Sequence, residues 1–239
     1  MWSSAGYREL MWGVRRPGGG SRAAVWIAVL VIPASGMTGC TKEASPGPPS
    51  IEHVLSIDPS AVLLDALAVD AAMGTAGAKV VDQGNAPDDT VDTKPPECHG
   101  LDYIAGTIEY APTGFTAMGW RIVSVNSGVV IQMVAQLPSV AAADKFIAAQ
   151  TKSWKACEGK VITNTDKASR EVSTDRITEV RTGPHTVTAS QDGGPGKHCQ
   201  HVLQAVSNII LDVDACSDTV SNPAEVIAAK LADRVQKSA

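Results

Sequence analysis

Five cysteines constrain this chain more than any other feature: Cys40, Cys98, Cys157, Cys199 and Cys216. An odd count in an exported protein leaves one thiol to be explained, and the residues around Cys40 explain it. Arg15, Arg16 and Arg22 precede the apolar run Ala23 to Ile32, the charged and apolar halves of a secretory signal. A spanning helix needs roughly 20 apolar residues, and Pro33, Ser35 and Gly36 end this run well before that. Met37-Thr38-Gly39-Cys40 follows, with small residues before a cysteine, as in a bacterial lipobox; Met37 stands where that motif usually has Leu. Cleavage near Ala34-Ser35-Gly36 by an ordinary signal peptidase is the alternative, and it leaves Cys40 a free thiol. Lipidation of Cys40 instead leaves four cysteines, an even set able to pair. Translation starts at Met1 or Met11, and the signal needs nothing upstream of the second.

Residues 1–39 are thus read as a lipoprotein signal peptide, 40–58 as the lipidated cysteine and a Pro/Gly-rich tether, and 59–239 as one folded domain. Residues 1–39 hold four of the 20 basic and one of the 25 acidic residues, so 16 bases face 24 acids in the remainder, about 8 negative charges net. That balance opposes binding to phosphate backbones, and no basic run offsets it, so nucleic acid is not an expected partner. Aromatics make up only 4% of the chain, so the core must be built mainly from Val, Ile, Leu and Ala.

Asp58-Pro59-Ser60 opens a helix whose apolar stripe is expected to run through Leu63, Leu67 and Ala71 to a stop at Gly74. The acidic, proline-containing run Asp82 to Glu97 reads as a solvated loop without the ligand order of a calcium site. Gly119 to Val125 and Val129 to Leu137 form a hairpin about Asn126-Ser127-Gly128. Ser139 then opens a helix with Ala143, Phe146, Ile147, Trp154 and Cys157 on its inner face, closed by Gly159. Strands are expected at Lys160 to Asn164, Arg170 to Val180 and Thr186 to Ser190, a loop at Gln191 to Gly196, and a last helix from Asn222-Pro223 with Ile227, Leu231 and Val235 inward. The fold class is therefore α+β: a twisted, largely antiparallel sheet with about three packed helices.

Four cysteines allow three connectivities, and their order alone does not choose. As one straight strand, residues 199–216 would separate their ends by roughly 55 Å, whereas a bridge needs Cα atoms within about 7 Å. A Cys199–Cys216 bridge therefore demands a hairpin, and Ser207-Asn208 lies at the midpoint with apolar runs on both sides. The complementary bridge joins Cys98 to Cys157. Zinc needs thiols paired at closer spacing than any here, so no metal is expected.

Glu97-Cys98, Trp154-Lys155-Ala156-Cys157-Glu158-Gly159, then Cys199 and the Val/Ile/Asp-rich approach to Cys216, taken in order, resemble the PknH-like extracellular sensor domain family. That family is found in mycobacteria as the outside part of membrane Ser/Thr kinases and as stand-alone lipoproteins. The resemblance runs from about Ser60 to Val235. It implies the same two disulfides, a twisted antiparallel sheet with helices and a cleft, and a sensing or ligand-binding role. The chain has no kinase catalytic loop and no second apolar span.

No nucleophile elbow, Walker loop, dinucleotide fingerprint or HExxH helix occurs in the sequence, so neither enzymatic activity nor a cofactor is expected. His198 and His201 flank Cys199, but residues three apart on a strand face opposite ways, so they are read as exposed or structural. The expected role is a monomeric, lipid-anchored domain on the extracytoplasmic face of the cell membrane, binding a small polar ligand or envelope component. An envelope hydrolase or transferase, or a structural component, are the alternatives. Gln204 and Asp212, polar positions within apolar strands, with Asn208 at a rim and Trp120 as a stacking wall, are the candidate ligand-binding residues.

Overall fold

In the computed structural model, residues 53–126, 128–192 and 198–238 are described; Cys40, the signal, most of the tether and most of the Gln191 to Gly196 segment lie outside them. The described chain forms a nine-stranded sheet, antiparallel at every pairing, with helical segments on both faces.

The strands are β1 (Lys79–Gly84), β2 (Val91–Lys94), β3 (Ala117–Val125), β4 (Gly128–Gln136), β5 (Val161–Asp166), β6 (Val172–Gly183), β7 (Thr186–Asp192), β8 (His198–Val206) and β9 (Ile209–Ser217). Their order across the sheet is β1-β3-β4-β9-β8-β7-β6-β5-β2. The expected hairpin β3–β4 and the hairpin β8–β9 about Ser207-Asn208 are both present, and the consecutive strands β5 to β9 are each paired with the next. The register of β8–β9 sets Cys199 directly opposite Cys216, and the two are bridged with a Cα–Cα distance of 4.0 Å.

The helices are α1 (Pro59–Val62), α2 (Ala66–Met73), α3 (His99–Asp102), α4 (Thr107–Tyr110), α5 (Val140–Cys157) and α6 (Pro223–Ser238). Side chains alternate between the faces, so one sheet supports two cores. One face packs Val130, Val134, Val202, Leu211 and Val213 against α1, α2 and α6, which brings in Ile227, Leu231 and Val235. The other carries Met133, Ala135, Ala189, Leu203 and Ile210 beneath α5 and the segment holding α3 and α4. Trp154 and Cys157 are fully buried there, as the helical spacing predicts.

Three expectations change. The first helix is two helices, because the Asp65 carboxylate accepts from the Ala68 amide and starts a new helix inside an apolar run that looks continuous. The restart rotates the stripe: Leu63 stays buried, but Leu67 is 80% exposed, Ala71 also faces out, and Val69 and Met73 take the inner positions. Within the acidic run 82–97, β1 and β2 add one strand to each edge of the sheet; edge strands facing water need no apolar alternation and tolerate acids. Gln191 and Asp192 belong to β7 rather than to a loop. Among the described residues, no helix is long and apolar enough to cross a membrane.

Candidate functional site

Residues 98–110, hereafter the cap, hold α3 and α4 against the sheet by a disulfide, by polar contacts and by a small apolar underside. Cys98 is tied to Cys157 at the end of α5, Cα–Cα 5.8 Å. Gly100 O accepts the Trp154 indole N–H at 3.0 Å, and Leu101 O accepts from His201 Nδ1 at 2.5 Å. Only Leu101, Ile104, Ala105 and Tyr110 give the cap an apolar underside.

His201, on β8, is fully buried with its ring 4.5 Å from that of Trp154. Its Nε2 meets the Asp212 carboxylate, whose other oxygen accepts the Tyr110 hydroxyl at 2.7 Å. Both ring nitrogens thus face acceptors, a carbonyl and a carboxylate, so the imidazole is held doubly protonated. Burial alone would lower its pKa, but the charge and hydrogen bond of Asp212, with Asp214 beyond, raise it to about 9. No ring nitrogen is left to take a proton from a nucleophile, so this His–Asp pair is built to hold the cap rather than to act as a general base.

A second polar group extends from the first toward the β2 edge. The Thr93 hydroxyl donates to Asn164 Oδ1 at 2.6 Å, the Asn164 amide donates to Asp102, and Asp175 on β6 shares a hydrogen bond with Asp102. Two carboxyl groups in hydrogen-bond contact must hold a proton between them. Burial, reinforced by the charge of Asp214 on both and by that of Asp102 on Asp175, pushes both members above the usual carboxylate range, against the lowering effect on Asp102 of its hydrogen bond with Asp175. Asp214, on β9 opposite His201, is 4% exposed, and its Oδ1 has no hydrogen-bond partner. Burial raises it to about 6 against the opposing pull of His201. Beneath the outer part of the cap, His99 Nδ1 reaches both oxygens of Glu109, at 3.0 and 2.9 Å, while its buried Nε2 is unpartnered. Gly100 and Gly106 flank this pair so closely that a Cβ at either would meet the Glu109 side chain at 2.7 or 2.3 Å.

The four proposed ligand contacts are not brought together. Asp212 is inside the cap network and 2% exposed, not on an open floor. Asn208 is fully buried and is no rim residue: its amide accepts from Leu55 N at 2.7 Å and donates to the carbonyls of Leu55 and Leu137. The hairpin turn needs those bonds to tie the incoming chain to the sheet. Gln204 pairs with Leu211 and so faces away from Asp212, which pairs with Leu203. Trp120 does share the cap face, two strands from Asp212 through Met133, but it is half-buried and its indole donates to Ala86 O at 2.8 Å. Of the two histidines beside Cys199, His201 is structural and His198 exposed, as their spacing implies. Sequence reasoning missed Asp102, Asp175 and Asp214. The available signal was Asp212-Val213-Asp214, two carboxyls two residues apart, hence on one face of an apolar strand.

Residues 56–234 match the model of the family described as the PknH-like extracellular domain. The serine/threonine-protein kinases PknH of Mycobacterium bovis and of Mycobacterium tuberculosis are each 33% identical over 228 residues. Those alignments cover 90% of this chain but 37% and 35% of the kinases, so the chain spans about a third of their length. The crystal structure of the extracellular domain of PknH from Mycobacterium tuberculosis superposes with a TM-score of 0.67 at 32% identity, over 75% of this chain and 95% of that one. The disulfides, the sheet and the match along most of the chain agree, and the protein belongs to the PknH-like extracellular domain family.

Proposed function

We propose that this chain is a lipid-anchored extracytoplasmic sensor domain, held to the cell membrane through Cys40, that responds to its surroundings by a change in the cap rather than by catalysis. The observation that carries the reading is the mode of attachment of residues 98–110. Their side-chain hydrogen bonds to the sheet run through the ionisable groups His201, Asp212, Asp102 and Asp175, which makes that part of the attachment sensitive to the chemical environment. Family membership supports an outside location, and the fully engaged His201 argues against hydrolysis at this site. A small polar ligand remains part of the proposal, with Trp120 the one suggested contact that shares the cap face and is not fully buried.

Anchoring is tested by fractionation of Cys40→Ser. Acyl chains supply about 0.8 kcal/mol per buried CH₂, and the acidic protein surface supplies no substitute. The variant is therefore expected in the soluble fraction with its circular dichroism unchanged. A Cys40→Ser protein that still pellets with membranes after a salt wash would end the lipid-anchor reading.

A further inference from the structure

Three carboxyl groups from three separate elements act on one another's charge where the cap faces the sheet. Asp102 comes from α3, Asp175 from β6 and Asp214 from β9, and they are 4–5% exposed where the sheet carries them. The described residues supply few groups to offset them. His201 lies beside Asp214 on β8 but is committed to Asp212 and Leu101. His99 is committed to Glu109. Asp192 on β7 and Asp212 on β9 add negative charge, Tyr110 on α4 donates its one hydroxyl hydrogen bond to Asp212, and α5 contributes Trp154 and a disulfide. Asn164 gives one amide to Asp102, and Asp214 Oδ1 is left unpartnered. With so few donors, holding buried Asp175 and Asp214 near half-buried Asp102 is unfavourable unless protons replace the missing partners.

We propose that protons are themselves a ligand of this domain: the Asp102–Asp175–Asp214 cluster closes the cap on the sheet when protonated and loosens it when ionised. The inference rests on the sensor reading for its use in the cell, but the physical claim stands by itself. The sign follows from where the protons bind. In an opened cap these aspartates return toward the ordinary value near 3.8, whereas in the closed cap all three are raised. The closed state therefore binds more protons, and it loses stability as pH rises from about 4 toward and beyond 6. His201 works in the same direction, its contribution being intact below about 6.5 and lost as pH approaches about 9. This is the reverse of ordinary acid denaturation.

Hydrogen exchange on the full chain in detergent, corrected for the intrinsic pH dependence of exchange, reads the cap directly. Amides of residues 98–110 should lose protection at least ~10-fold between about pH 5.5 and about pH 7.5, while those of α6 stay unchanged. In Asp175→Asn, whose amide keeps a donor toward Asp102 without a titrating proton, and in Asp214→Asn, cap protection should persist at the higher pH. Carboxyl carbon NMR of the unmodified chain gives a measurement that needs no variant: three aspartates should titrate above the ordinary range. A cap whose protection is flat with pH, variants that keep the full pH dependence, or aspartates that all titrate near the ordinary value would each overturn the proposal. None of these results bears on the Cys40 anchor, which fractionation tests separately.

Discussion

The two faces of the sheet solve the same packing problem with different materials. On the α6 side the contacts are aliphatic almost throughout. Two buried amides interrupt them: Gln132 is satisfied by Leu64 N and Leu64 O between α1 and α2, both at 2.8 Å, whereas Gln200 keeps a buried Oε1 without a partner. On the cap side, fully buried Trp154, Leu203 and Ile210 share the interior with His201, Asp212 and Asp175, with half-buried Asp102 beside them. Aliphatic burial is indifferent to pH and needs no matched geometry. Buried charge is stable only while every partner is in place, so breaking one bond exposes the whole desolvation cost. The first face thus supplies a constant scaffold, and the second a contact whose strength can be changed.

The strongest way to break this contrast is Asp212→Ala. It strands the His201 imidazolium and the Tyr110 hydroxyl together, and a loss of ~3–5 kcal/mol is expected in urea unfolding. A cost under about 1 kcal/mol would show that the cap side is held by its apolar contacts after all.

Removing the disulfides sharpens the comparison. The Cys98–Cys157 bridge closes a loop of 59 residues, and its loss should cost about 4 kcal/mol. The Cys199–Cys216 bridge closes 17 residues, and its loss should cost about 3 kcal/mol. The larger loss should also appear as loosened exchange in the cap, whereas opening the second bridge leaves a hairpin still paired along its length. Equal unfolding midpoints for the two double Cys→Ser variants would contradict the assignment of the cap as the conditional element.

The smallest effect is Leu67→Ser. An inward stripe through Leu63, Leu67 and Ala71 makes this a core substitution, but the restart at Asp65 turns Leu67 to solvent, and the change should stay within about 0.5 kcal/mol in a thermal melt. A loss of 2 kcal/mol or more, on the scale of about one deleted core side chain, would restore the single helix.

These cases also show what a sequence discloses. The β3–β4 hairpin, α5 and α6 were legible because each carries a period, a turn or a cap in contiguous residues. The helices of the cap span four residues each, too short to show a period, and what fixes them is contact with β8, β9 and α5. The acid cluster was illegible for a related reason. Aspartates are ordinarily exposed, and the partners of Asp102 lie 62 residues away at Asn164 and still further along at Asp175 and Asp214. Gln204 is different, because the register of a two-residue turn already pairs it with Leu211 and so puts it on the other face of the sheet from Asp212.

β1 and β2 are consecutive in the chain yet occupy opposite edges of the sheet. Laid flat, nine strands would separate those edges by roughly 38 Å, whereas the link from Gly84 to Val91 can stretch at most about 25 Å. The sheet must therefore bend into a trough, with residues 85–90 drawn across its mouth like a strap. The strap lies over the cap: Asp88 N donates to Ala105 O at 2.9 Å, Thr107 N donates to Asp88 O at 3.0 Å, and Tyr103 OH reaches the Asp88 carboxylate. The cap is enclosed from above and below, and it cannot lift without pulling on this strap. Because the strap continues directly into both outermost strands, the cap's attachment and the placing of the two sheet edges are one problem: a shift of the cap must be taken up either in the strap's hydrogen bonds or at the ends of β1 and β2.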